Sequence, residues 1–168
     1  MLSFLSSMSS AVSRVLGFTA ALMVLALILV TLVEVYSRYV LNSPTIWGFD
    51  VAYMLNGGAF ILAAAATQAA RQHVVIDVFS AMLPQRVQSV TQGLAMLVLV
   101  VPALGWLAWV AAQQAHFAWA SGEIEHLSVW RPRMWPFRTI LAIGLFALVL
   151  QVFTDGLLLL ARTRRKGG

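Results

Sequence analysis

Few side chains in this sequence are equipped for chemistry, and most of those are histidines and acids. Histidines stand at positions 73, 116 and 126. Histidine is a common ligand of haem iron and of zinc. A membrane haem gripped from two sides needs two of them on neighbouring helices at one depth. The helix pattern read below places His73 at one membrane surface and His116 and His126 toward the other, so they do not share a haem. His116, Glu123, Glu125 and His126 lie close in sequence, but their spacing matches no zinc pattern. They read as solvated loop residues. Asp155 sits inside an apolar run and is a candidate for a proton relay. The nearby basic residues Arg162, Arg164, Arg165 and Lys166 favour the plainer reading, in which it is neutralised near a helix end. There is no Gly-rich phosphate loop, nucleophile elbow or nucleotide motif. With no cysteine, disulfides, thiolate metal sites and cysteine nucleophiles are excluded. The inventory describes a scaffold or accessory subunit better than an enzyme.

One stretch, residues 31–55, combines long apolar runs with charge of both signs. Glu34 and Arg38 are four apart, which stacks them on one helix face where they can pair. Ionisable groups in a membrane segment are tolerated mainly when paired, snorkelling or facing protein. Two readings follow. The pair is a locally neutral device near a helix end, or the corner is a docking surface for another membrane subunit. The run then breaks at Asn42, Ser43 and Pro44. Ser43 is placed to cap the next helix and Pro44 to open it. Trp47 falls at the interface, and Asp50 falls near the first turn, where a carboxylate complements the helix N-terminus.

The elements that position these groups are membrane helices. The chain has 168 residues, of which 61% are hydrophobic and 10% charged. A soluble domain of that length has no core large enough to hide so much apolar surface. The net charge of +5 is not a nucleic-acid signal, because four of the eleven basic residues crowd the last seven positions behind an apolar run. The pattern gives an all-α integral membrane fold with four long transmembrane helices at about 15–41, 46–70, 86–119 and 134–161. The Ser-rich residues 1–13 lie ahead of the first, and the run that follows them is too long for a signal-peptide core. The first and third helices exceed the roughly 30 Å hydrocarbon layer and must tilt or project. Pro102 predicts a kink in the third.

The second helix carries a small-residue stripe, Ala59, Ala63 and Thr67, flanked by Ala65 and Ala69. Such stripes let helix backbones approach closely, either within the chain or on a partner. Residues 74–83 are too short to span and alternate apolar and polar at helical spacing, which reads as an interfacial helix bracketed by Arg71 and Arg86. Arg14, Arg71, Arg86 and the C-terminal cluster outnumber Arg38, Arg131, Arg133 and Arg138 on the other side. The excess places both termini in the cytoplasm. Residues 121–133 form the longest polar excursion and hold Glu123, Glu125, Arg131 and Arg133.

The order of these motifs resembles a known family. A first helix ends in Glu34-Val35-Tyr36-Ser37-Arg38-Tyr39 and runs into Asn42-Ser43-Pro44, Trp47 and an acid at Asp50, where the family more often has glutamate. A second helix closes on Arg71-Gln72-His73 and Asp77, and Leu83-Pro84 follows. The last opens on Trp130, Pro132, Trp135-Pro136 and Arg138, then Gly144 and Gln151. This is similar to the DctQ-type small membrane subunit of TRAP (tripartite ATP-independent periplasmic) transporters.

The resemblance implies a multi-pass protein of the bacterial inner membrane that braces a larger, elevator-type membrane subunit. It implies a periplasmic solute-binding protein as the second partner, uptake of an organic acid, and sodium held by the large subunit with no cofactor in this chain. The 42–50 corner and the 121–133 loop would then face the periplasm and contact the binding protein. Arg71, His73 and Asp77 would lie at the cytoplasmic surface, touching the large subunit or lipid headgroups. Two other classes remain open on the residues alone. One is a haem- or quinone-associated anchor of a redox complex, and the other is a small proton-coupled exporter using Glu34 or Asp155.

Overall fold

A computed structural model describes the backbone of residues 2–69 and 85–165, with side chains from 11 to 68 and from 90 to 161. Helix α1 is Leu2–Tyr39 and α2 is Gly48–Ala69. Helix α3 is Gln85–Ala95, a π-helical turn covers Met96–Val100, and α4 is Val101–Ser121. Helix α5 is Trp135–Arg165. Four stretches are long and apolar enough to cross a membrane: Ala11–Tyr39, Gly48–Gln68, Val90–Ser121 and Trp135–Ala161. The third of these runs unbroken through α3, the π turn and α4. Among the described residues there is no strand; Ile124 and Arg133 form an isolated antiparallel bridge. The fold is therefore all-α, with four membrane helices. The expected interfacial helix at 74–83, with Arg71, His73 and Asp77, lies outside the described residues.

Several boundaries carry physical content. Helix α1 continues back to Leu2, well before residue 15, because the Ser-rich stretch contains no proline or glycine to stop it. Helix α2 opens at Gly48 rather than at Pro44, for reasons given with the site below. The disturbance expected at Pro102 takes the form of the π turn immediately ahead of it. Proline lacks an N–H, and its ring collides with the carbonyl four residues back. Widening the preceding turn relieves that collision without breaking the span.

The helices pack in the order α1, α2, α5, then α3 and α4, with a lighter contact between α1 and α5. The span in α5 is the most enclosed and that in α1 among the least. Outward-facing Phe18, Leu25 and Leu32 leave α1 strongly apolar toward its surroundings, as expected of a helix facing lipid or another membrane subunit. Part of the small-residue stripe is used inside the chain, while Ala63 is half-buried and Thr67 is exposed. Ala59 and Ala65 are buried, Gly57 lies under the ring of Phe137, and Gly58 lies under the Met23 methyl. Close packing of small residues supplies helix association where lipid gives no hydrophobic drive.

One buried polar cluster joins three helices near the end of the bundle where the first span begins and the second ends. Asp155 on α5 accepts from Gln68 Nε2 on α2 at 3.1 Å and from Gln151 Nε2 at 3.4 Å. Ser13 Oγ on α1 donates to Gln151 Oε1 at 3.4 Å. All four residues are buried, at 9% exposure or less. Asp155 is thus held by two amides from two helices, a tie between elements that its nearness to the basic tail did not suggest. Interhelical hydrogen bonds of this kind contribute about 0.6 to 2 kcal/mol each in a membrane. Asp155→Leu should therefore lower stability by about 2 kcal/mol by stranding both amides. Asp155→Asn, which keeps an acceptor oxygen, should lose less than half of that. Chemical unfolding of the three proteins in mild detergent checks the order; equal loss in both variants would show that the carboxylate is not the tie.

Candidate functional site

The candidate residues gather at the end of the bundle where α1 ends, α2 begins, and α4 turns into α5. Glu34 organises the first half. Its Oε1 accepts from Arg38 Nη2 at 2.5 Å and from Nε at 3.1 Å. Its Oε2 accepts from the Thr45 backbone N–H at 3.1 Å and from the Thr45 hydroxyl. Thr45 Oγ1 in turn accepts from the Gly48 N–H at 3.1 Å. A free N–H at a helix start needs a side-chain acceptor, and threonine three residues ahead supplies one. This is why α2 opens at Gly48.

The expected cap, Ser43, instead folds back on α1. Its N–H donates to the Ser37 carbonyl at 3.0 Å, and the Ser37 hydroxyl donates to the Ser43 carbonyl at 2.6 Å. Asn42 takes the left-handed conformation that this reversal requires, with φ of 49°. Gly48 is needed for a different reason: a Cβ there would lie 2.8 Å from Glu34 Oε2. One carboxylate thus pairs with the end of α1 and caps, through Thr45, the start of α2. Trp47 is half-buried, and its carbonyl accepts the Val51 N–H at 3.1 Å as α2 begins.

The second half is a short hairpin between α4 and α5. Gly122 ends α4 in the left-handed conformation, with φ of 65°. The Glu125 N–H then donates to the Pro132 carbonyl at 2.9 Å, and the Met134 N–H to the Glu123 carbonyl at 3.0 Å. Trp119 and Trp135 meet edge to face at 4.7 Å across its base. Arg138 Nη2 donates to Glu123 Oε1 at 2.5 Å, so Glu123 pairs with α5 and not with Arg131 or Arg133. Glu123 Oε2 is buried without a protein partner among the described residues. Glu125 Oε1 accepts the Leu127 N–H at 3.1 Å and shapes the hairpin tip. Arg131, with φ of 51°, and Arg133 are exposed, as are His116 and His126.

The two halves are joined. Asp50, in the first turn of α2 and only 7% exposed, accepts the hydroxyl of Ser128 from the hairpin tip. Ser128 Oγ also accepts the Trp130 N–H at 3.1 Å. Tyr53 of α2 and Phe137 of α5 meet in a tilted ring contact, with centroids 5.3 Å apart. Between the corner and the hairpin lies a groove of about 590 Å³, lined by Ile46, Phe49, Tyr53, Leu127 and Met134 with Asp50 and Glu125. Sequence reasoning named both acids but missed Thr45 and Ser128. Thr45 was legible as a capping residue three positions ahead of Gly48. Ser128 was not, because nothing local marks its contact with a residue 78 positions away. Among the described residues no group of three or more histidines and acids converges on a metal-sized site.

The family model for the DctQ component of tripartite ATP-independent periplasmic transporters matches residues 27–162, from within α1 to near the end of the last membrane span. This chain belongs to the DctQ family. It is a small membrane component of a TRAP transporter, and the family is a transporter component and not an enzyme. Components of this family work with a large membrane subunit and a periplasmic binding protein. No curated protein matches the chain. The matched region contains both halves of the candidate site and all four spans from residue 27 onward.

Proposed function

We propose that this DctQ-family chain is the fixed scaffold of a sodium-coupled TRAP transporter of the bacterial inner membrane. It braces the large elevator-type subunit and helps seat a periplasmic solute-binding protein during uptake of an organic acid. The observation that supports this reading best is the bond between Asp50 and Ser128. It ties the α1–α2 corner to the α4–α5 hairpin, so that two connections become one stiff surface. A scaffold needs such a surface, because a moving partner can only be braced by something that does not itself yield. With both termini cytoplasmic, this surface faces the periplasm, where a binding protein arrives. Arg131 and Arg133 are exposed on it, as charged rims of docking surfaces are. Sodium and substrate belong to the large subunit in this reading, and this chain holds no cofactor.

The test is affinity purification of the tagged chain from its native host in mild detergent. A large membrane subunit is expected to co-purify in stoichiometric amount. Liposomes bearing the pair, with binding protein added, should take up substrate only when a sodium gradient is imposed. Recovery of the chain alone would defeat the scaffold reading. Uptake indifferent to sodium would defeat the coupling.

A further inference from the structure

Helix α2 uses two of its faces inside the chain. Gly58 packs under Met23 of α1, and Gly57 under Phe137 of α5. A third face is left bare. Tyr53, Asn56, Phe60 and Thr67 follow one another at i, i+3, i+7 and i+14, which aligns them along one side of the helix. All four are exposed, Tyr53 at 56% and Phe60 at 76%. Asn56 is the odd member. It lies within the span Gly48–Gln68, roughly 12 Å from one end and roughly 18 Å from the other. That places it deep in the roughly 30 Å hydrocarbon layer.

The outward-facing threonines of the first two spans, Thr19, Thr31 and Thr67, each donate to a carbonyl of their own helix. The Asn56 carboxamide forms no hydrogen bond among the described residues. It carries both N–H donors and an acceptor oxygen. At that depth there is no water to take them, and leaving them in hydrocarbon is costly. An acyl chain offers neither donor nor acceptor. The periplasmic binding protein does not enter the membrane. A second copy is disfavoured by geometry. Two copies in one membrane share an orientation, so a two-fold axis sets identical residues opposite one another at one depth. Tyr53 would meet Tyr53 and Phe60 would meet Phe60, one turn to either side of Asn56. These rings outreach a carboxamide and would hold the two amides apart. The face fits instead a different helix, with small residues against the rings and a polar side chain opposite Asn56. Of the partners this family works with, the large subunit is the one in the membrane.

We infer that the face of α2 bearing Tyr53, Asn56 and Phe60 docks on a membrane helix of the large subunit, which supplies the hydrogen-bond partner of Asn56. The inference rests on the scaffold reading above and adds the face and the chemistry of one contact. That contact lies deeper along α2 than the corner and the hairpin, the surface that seats the binding protein in that reading.

The test uses the whole transporter in native membranes. A photoreactive benzoylphenylalanine replaces Phe60, and irradiation should yield an adduct with the large subunit. Adding Asn56→Leu should cut that yield about fivefold, since an interhelical hydrogen bond is lost. Asn56→Gln, which keeps a carboxamide, should cut it less. The unfolding midpoint of the Asn56→Leu chain in mild detergent should not fall, because Asn56 bonds nothing inside the described chain. A fall would make it an internal residue and overturn the inference. With the large subunit still co-purifying, an adduct with a second copy of this chain, a mass gain equal to one lipid, or no adduct would each overturn it. So would equal yields with and without Asn56→Leu. Failure of the large subunit to co-purify with the unaltered chain would sink the scaffold reading and this inference with it.

Discussion

Replacing Glu34 by alanine is expected to open the corner between α1 and α2 and to reduce recovery of the large partner severalfold. The carboxylate has several dependants. Arg38 loses its ion pair, Thr45 loses the acceptor for both its N–H and its hydroxyl, and the Gly48 N–H loses a cap whose orientation Thr45 no longer holds. An exposed ion pair alone is worth little. The Arg38 side chain is about half exposed, so Arg38→Ala should be mild. Glu34→Gln should fall between, because an amide oxygen still accepts from Thr45 but no longer attracts Arg38. The expected ranking of damage is therefore Glu34→Ala, then Glu34→Gln, then Arg38→Ala. Thermal midpoints in mild detergent and co-purification yields should follow the same order. If Arg38→Ala proved as damaging as Glu34→Ala, the ion pair and not the cap would be the important contact. Gly48→Ala approaches the same corner from the other side, by pushing a methyl group toward Glu34 Oε2.

That corner also shows how much the sequence disclosed. Glu34 and Arg38 were legible as a pair because an i, i+4 spacing is a local property of one helix. The four spans were legible for a similar reason: length and hydropathy of a contiguous run decide them. The motif order was sufficient to point to the family. What stayed hidden depends on meetings between distant residues. Asp50 was readable as a first-turn acid, but its partner Ser128 comes from the far side of two spans. Glu123 faced several arginines in sequence, and only the turn at Gly122 decides that Arg138 is the one it meets. Ser13 read only as the end of a Ser-rich stretch ahead of the first helix, because its membership of a buried cluster with Gln151 spans 138 positions. Ser43 reads as the cap from its position before proline, and that reading leaves Thr45 aside. The structure gives the cap to Thr45, which Glu34 holds in place.

Gly156→Leu is expected to be the most damaging single change in the packing of the spans. Gly93 on α3 and Gly156 on α5 face one another at close range. A Cβ on Gly156 would lie 2.9 Å from Leu97 Cγ and 3.5 Å from the Gly93 carbonyl oxygen. A Cβ on Gly93 would lie 3.0 Å from Leu160 and 3.3 Å from the Gly156 carbonyl oxygen. Alanine at either position is accommodated by rotating a leucine, at a cost of about 1 kcal/mol. A leucine has nowhere to go, because backbone lies behind the side chains that yield. The helices must separate, which costs about 3 kcal/mol or more at an overpacked contact. The damage spreads, since Asp155 adjoins Gly156 and ties α5 to α2.

Gly105 on α4 supplies the control. Nothing lies within 4 Å of a Cβ built there. Gly105→Leu should leave stability unchanged or raise it slightly, as leucine is the better helix former. Unfolding midpoints of the three leucine variants decide the matter: positions 93 and 156 should fall together and 105 should not. A Gly156→Leu protein as stable as the parent would mean that α3 and α5 do not meet backbone to backbone. A fall at all three positions would mean that the outer face of α4 is itself covered by protein in the assembled transporter or by a second copy of this chain.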